Sequence, residues 1–274
     1  MKVILLCAGY ATRLYPLTKD RPKALLPVAD QAILDWILTR LKDISEITGV
    51  CVISNHRFAK AFHHWADESN YSWPIHVVDD ETTTNENRLG AIGDLQLTLK
   101  KEKIDSEDLL VIAGDNLFDF DVKSFVEFGK TKRPYAVVAI HDVGSRELAK
   151  QYGLVLCDPD GQVLKFLEKP ENPPTTLASC GLYWLPKETR PLLDKYLTDG
   201  HNPDQPGHYM KWLAETHRLY ALSLKGRWFD IGDLQSYQKA NEVYSPTHLP
   251  RRQAGKTAAV KPGANALDEP RRSS

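Results

Sequence analysis

The sequence predicts an α/β protein with a three-layer α/β/α architecture, a mixed and mainly parallel sheet, and a small β lobe on one side. Three observations predict it. Short β-branched runs alternate with longer segments of helical period through residues 1–141, the pattern of a parallel sheet covered on both faces. Beyond residue 150 this gives way to closely spaced strand runs joined by turn signals. The length, 274 residues with 42% hydrophobic side chains, is enough to bury a large core.

Each element has its own local reason. Lys2 to Cys7 is an apolar run that ends in a turn of small residues, which predicts a strand. Ile33, Ile37, Leu38, Leu41 and Ile44 recur at helical spacing, and a strand follows at Gly49 to Ser54. Phe58, Phe62 and Trp65 mark the next helix, and Ile75 to Asp79 the next strand. The Gly90 to Gly93 turn opens a helix carrying Leu95 and Leu99. Strands at Asp108 to Ala113 and Tyr135 to His141 complete this half. In the second half, Gly153 to Leu156 and Val163 to Leu167 flank Asp158-Pro159-Asp160-Gly161, which predicts a hairpin. Leu177 to Trp184 is a further strand after a Pro-rich loop, and Asp233 to Val243 a helix. Residues 246–274 hold four prolines, two Arg-Arg pairs and almost no large apolar side chain, so a disordered tail is expected.

Charge and cysteine usage exclude several classes. The formal net charge is −1, which favours neither nucleic acid nor an anionic membrane as partner. The tail carries +4, which leaves −5 on the body, and a solvated tail is the expected reading. Cys7, Cys51, Cys157 and Cys180 are scattered without metal spacing and read as buried thiols in a reducing compartment. No apolar stretch has the length of a membrane span, and a cytoplasmic protein is expected. The nine histidines show no ligand spacing.

The first strand runs into Ala8-Gly9-Tyr10-Ala11-Thr12-Arg13-Leu14, and Pro22-Lys23 follows ten residues later. A turn of small residues lets backbone amides approach an anion. Arg13 offers a planar fork that matches phosphate oxygens two at a time, and Lys23 a mobile point charge, so the pair suits a polyphosphate. The dinucleotide fingerprint fails here, because bulky Leu14 stands where its last small residue belongs. The P-loop fails too, since no Gly-Lys-Ser/Thr follows this turn.

Residues 5–28 resemble the signature of the sugar-phosphate nucleotidyltransferases, L-x-x-G-x-G-T-R-L followed by P-K-x-L-x-P-V, with Ala11 in place of the second glycine. The resemblance spans roughly residues 2–243. It implies a Rossmann-like nucleotidyltransferase fold over 1–245, with a nucleotide-binding half (1–141) and a sugar-phosphate-binding half (142–245). It also implies transfer of a nucleoside monophosphate from an NTP to a sugar 1-phosphate. Replacing glycine by alanine at position 11 is expected to cost little unless the backbone there needs a positive φ.

Such chemistry needs a divalent cation beside the α-phosphate, and Mg2+ takes carboxylates, water and phosphate oxygens. Asp115, in Gly114-Asp115-Asn116 at the end of an apolar strand, resembles the family's first magnesium ligand, and Asp230, in Trp228-Phe229-Asp230-Ile231-Gly232, its second. Glu168-Lys169-Pro170 is similar to the E-K-P motif, whose glutamate bonds sugar hydroxyls and whose lysine holds the acceptor phosphate. Gly153, Ser179 and Tyr183 resemble positions lining the sugar pocket. Nucleotide contacts are expected from Ala8, Gly9, Tyr10, Ala11, Thr12, Arg13 and Lys23, with Asn85 and Gly90 on the base. Arg13 and Lys23 carry the catalytic role. In the base segment Arg88 stands where relatives have proline, and Thr84-Asn85 is reminiscent of cytidylyltransferases acting on phosphocholine or phosphonates. A cationic choline head would want an aromatic cage, so the sugar reading is preferred. A third reading is a silent nucleotide-sugar-sensing subunit, but such a chain would be expected to lose the charged set, which here is complete. Homo-oligomerisation is compatible with all three.

Overall fold

The computed structural model describes residues 1–245; the tail expected at 246–274 lies outside the described residues. In chain order the elements are β1 (Lys2–Leu6), β2 (Pro27–Val28), β3 (Gln31–Ala32), α1 (Ile33–Thr39), β4 (Gly49–Ser54), α2 (His56–Glu68) and β5 (Ile75–Asp79). Next come α3 (Ala91–Lys101), β6 (Leu109–Ala113), β7 (Asn116–Phe118), α4 (Val122–Thr131), β8 (Ala136–Asp142) and α5 (Arg146–Ala149). The remainder are β9 (Gly153–Cys157), β10 (Val163–Glu168), β11 (Leu177–Leu185), α6 (Arg190–Thr198), α7 (Pro206–Thr216), β12 (Leu219–Ser223), β13 (Trp228–Asp230) and α8 (Leu234–Tyr244).

Nine strands form one mixed sheet. The nucleotide-side strands lie in the order β6-β1-β4-β5, all parallel. The chain leaves β1 toward β4 and β5, then crosses back to β6 on the other flank of β1. The carboxyl ends of β1 and β6 therefore border a topological switch point, the crevice where open α/β sheets bind ligands. Successive residues of β1 point to opposite faces: Val3 and Leu5 enter one core cluster and Ile4 the other. That division makes the three layers.

The second half is antiparallel where it meets this sheet. Strand β11 inserts between β6 and β8, so the strand expected at Tyr135 to His141 does not extend the parallel run beside β6. A hairpin, β9 with β10, was expected and is present. The register of β11 against β8 slips between Ser179 and Tyr183, around Gly181, whose φ is +69°. Helix α1 stops at Thr39, earlier than the apolar spacing suggests; Leu41 and Ile44 are buried from the turns that follow. Cys7, Cys51 and Cys180 are buried as expected, whereas Cys157 is half-buried. Among the described residues, no helix is long and apolar enough to cross a membrane.

Candidate active site

The two carboxylates separated by more than a hundred residues in sequence meet through a two-stranded ribbon. Strand β7 begins directly after Asp115, and β13 ends at Asp230; the strands pair antiparallel with Asn116 opposite Asp230. The amide of Ile231 donates to the carbonyl of Asp115 at 3.0 Å, closing the join. Gly114 permits the approach from below, because a Cβ there would lie 2.3 Å from Cys7 Sγ. Asp115 is consequently delivered to the end of β1.

Cations surround this pair. Lys23 Nζ donates to Asp115 Oδ2 at 2.6 Å. The Arg13 guanidinium lies over Gly232, about 4 Å from where a Cβ would stand. Burial, and then the charge of Asp115, push the Asp230 carboxyl up to about 6, while Lys23, Arg13 and Lys169 pull it down. The other four charged residues expected at the reaction centre thus all act on the Asp230 carboxylate. Among the described residues, no group of three or more His, Cys, Asp or Glu side chains is placed to hold a metal. Two carboxylate arms leave the remaining positions of an octahedron to water and phosphate oxygens, a donor set that suits Mg2+.

The strand-to-turn segment is laid out by small hydrogen bonds. Asn55 caps α2, accepting from the Phe58 amide at 3.2 Å, and its Nδ2 donates to the Ala8 carbonyl at 2.8 Å. Gly9 faces open space, with no atom within 4 Å of a built Cβ. Thr12 and Arg13 are exposed beside it. Tyr10 is buried, and its hydroxyl pairs with Thr82 Oγ1 at 3.1 Å, so its ring serves the loop's packing. Ala11 has φ 48° and ψ 40°. The condition attached to this residue at the sequence level is therefore met: the position does need a left-handed backbone, which costs a non-glycine residue about 1 kcal/mol.

Asp115, Gly153, Glu168, Lys169, Ser179, Tyr183 and Asp230 line one cavity of about 260 Å³, together with residues the sequence reading passed over: Asn116, Gln151, Phe166, Gln205, Gly207 and Trp228. Glu168 is held between two glycines; a Cβ on Gly153 would lie 2.8 Å from Glu168 Oε2, and one on Gly207 only 1.9 Å. Burial raises its carboxyl above the usual range, against the pull of Lys169 and His208. Lys169, just past β10, adopts φ 45° and its Nζ lies 4.0 Å from Glu168 Oε1. The cavity also carries four aromatic rings, Tyr152, Phe166, Tyr183 and Trp228, with Tyr152 and Trp228 centred 4.9 Å apart. Of these rings Tyr183 stands where the resemblance puts a pocket-lining residue, whereas Phe166 and Trp228 come from two other strands with no local motif for a pocket wall.

Asn85 and Gly90 lie apart from that cavity, on the loop between β5 and α3. Asn85 is exposed, and its carbonyl accepts from Arg88 Nη1 at 2.7 Å. Gly90, at φ 81°, passes so close to the 203–204 segment that a Cβ would lie 2.5 Å from Asp204 Cα. The first amides of α3, Ala91 and Ile92, donate to the carbonyls of Asp204 and Pro203 at 3.1 and 2.8 Å. Arg88 pairs with both Asp204 carboxylate oxygens at 2.8 and 3.0 Å. The loop expected to hold the base is thereby fastened to the segment that leads into Gln205 and Gly207.

Residues 2–246 match the nucleotidyl transferase family. The chain belongs to that family. It is similar to the bifunctional protein GlmU of Methanocaldococcus jannaschii, 27% identical over 242 residues that make up 88% of this chain and 54% of the relative. It is also similar to the UTP–glucose-1-phosphate uridylyltransferase of Synechocystis sp., 26% identical over 249 residues, 88% of this chain and 62% of the relative. The transferase thus spans little more than half the length of these curated relatives. Its fold is shared by the solved structure of a UDP-glucose pyrophosphorylase complexed with UDP-glucose, with a TM-score of 0.73 at 22% identity, covering 89% of this chain and 97% of that one.

Proposed function

We propose that this nucleotidyl transferase moves a nucleoside monophosphate from an NTP to a sugar 1-phosphate, with Mg2+ as cofactor, releasing pyrophosphate. The observation that carries the reading is the convergence of Arg13, Lys23, Asp115 and Lys169 on the half-buried Asp230 carboxylate, at the switch point and beside a walled cavity. Asp115 and Asp230 would hold Mg2+, which when bound neutralises charge on the α-phosphate. Arg13 and the amides of the turn from Ala8 to Thr12 take the triphosphate, with Lys23 at the α-phosphate. Lys169 draws in the acceptor phosphate, and Glu168, desolvated between Gly153 and Gly207, accepts from acceptor hydroxyls. The acceptor oxygen is already anionic at neutral pH, so these residues need supply no general base; they orient two anions and offset their repulsion.

One observation favours a second reading. Four aromatic rings beside the Glu168 carboxylate also suit a cationic head such as that of phosphocholine, through cation–π contact. Pyrophosphate release measured across the common NTPs against hexose 1-phosphates, phosphocholine and a phosphonate separates the readings. Turnover confined to hexose 1-phosphates is expected. Turnover confined to phosphocholine or the phosphonate would replace the sugar reading, and no release with any pair would end the catalytic one.

A further inference from the structure

The Asp115 carboxylate, on the proposed metal side, and the Trp228 indole, on the proposed acceptor side, are joined through one buried side chain. Asn116 is 4% exposed and opens β7. Its Nδ2 donates to Asp115 Oδ1 at 3.0 Å, and its Oδ1 accepts from Trp228 Nε1 at 2.5 Å. The orientation of the amide is forced by chemistry. An indole N–H can only donate and a carboxylate can only accept, so the amide oxygen must face Trp228 and its nitrogen Asp115. Gly181 roofs this amide, since a Cβ there would lie 2.8 Å from Asn116 Nδ2. With Lys23 bonded to Asp115 Oδ2, both oxygens of that carboxylate have a fixed donor. Every link runs side chain to side chain, from Lys23 through Asp115 and Asn116 to Trp228.

We infer that Asn116 is a positioning residue that sets the Asp115 carboxylate and the Trp228 ring relative to each other, so that occupancy on either side biases the other. The inference rests on the functional reading above for the names of the two sides, and on the bonds alone for the coupling. A merely structural asparagine would satisfy Trp228 and leave Asp115 indifferent. A link of this kind is reciprocal: what the acceptor side does to Trp228, it does to the hold on the metal.

The test has a ligand-free arm. In the full chain labelled with ¹⁵N, the Trp228 indole N–H is one of six such resonances and is assigned by its loss in Trp228→Phe. Asp115→Asn should move that resonance in the parent and leave it unmoved in an Asn116→Leu background. In the kinetic arm, Asn116→Leu and Trp228→Phe should each raise half-saturating Mg2+ about tenfold, the size of effect seen when an outer partner of a metal ligand is removed. Trp228→Phe keeps an aromatic ring in the wall, so it reports on the link even if Asn116→Leu does not fold. An indole resonance indifferent to Asp115→Asn in the parent would overturn the inference. So would half-saturation within about twofold of the parent in both variants. If the parent releases pyrophosphate with no substrate pair, the functional reading falls and the indole resonance alone decides the coupling.

Discussion

Asp230→Asn should make the ligand-free protein more stable at neutral pH while removing its metal-dependent turnover. The Asp230 carboxyl is pushed from its ordinary 3.8 up to about 6, first by burial and then by the charge of Asp115. At about 1.4 kcal/mol per pH unit, that displacement corresponds to about 3 kcal/mol held against the ionised, folded form. Because the folded value lies above the unfolded one, the folded chain keeps a proton that the unfolded chain has already released. The penalty is therefore absent below about pH 4, grows with pH, and is complete above about pH 6. Asparagine has nearly the same shape and no charge to desolvate. Urea unfolding of the chelator-treated proteins should give matching stabilities near pH 4 and an advantage of roughly 2–3 kcal/mol for the variant at pH 7.5. The same variant should lose at least about 10² in Mg2+-dependent turnover. Equal stability at pH 7.5, or a difference that does not change with pH, would refute the account of a desolvated carboxylate kept for its ligand role.

Three further outcomes can be checked. Arg13→Ala should lower turnover by about 10²–10³, because Arg13 forms no ion pair among the described residues and its charge is free for an incoming phosphate; turnover within a factor of about three would remove it from the site. Ala11→Val should destabilise by more than about 1 kcal/mol, since a β-branched residue at φ 48° is a genuine outlier, whereas Ala11→Gly should stay within about 0.5 kcal/mol as relief of strain and unfolded-state entropy offset each other; denaturant midpoints of both variants decide it. Asp94→Asn concerns a buried carboxyl pair with Asp80, in which burial and the Asp80 charge push Asp94 up to about 8. The folded value again exceeds the unfolded one, so the parent should lose stability progressively from about pH 4 until the loss is complete above about pH 8, and between pH 6 and 9 unfolding midpoints should show the variant losing less.

Much of this site was legible because its chemistry clusters in short motifs. Asp115, Lys169 and Asp230 each stand at the end of a strand or directly after it, and Arg13 and Lys23 lie in short turns between β1 and β2, where hydrophobic periodicity breaks against small or charged residues. Their convergence follows from the β6-β1 switch point and the β7-β13 ribbon, and a ribbon of three residues per strand is too short for periodicity to reveal. Strand β11 was read correctly as a strand, yet its place between β6 and β8 depends on pairing across more than sixty residues of sequence, which no local pattern encodes. Part of the aromatic wall is hidden from the sequence for a related reason. Phe166 looks like a core residue in its strand, and only the fold shows that it borders the cavity beside Glu168. Arg88 could be seen as a departure from relatives, but its bonds to Asp204 required the fold.

That last contact has a mechanical consequence. Two backbone hydrogen bonds and a two-pronged ion pair fasten the β5–α3 loop to the stretch ahead of α7, tying the two segments into one unit. Were the proposed pair of anions to enter beside it, either that unit would swing whole or it would first unbutton at Asp204. High salt, which loosens the exposed ion pair and leaves the amide bonds in place, should ease the second route more than the first.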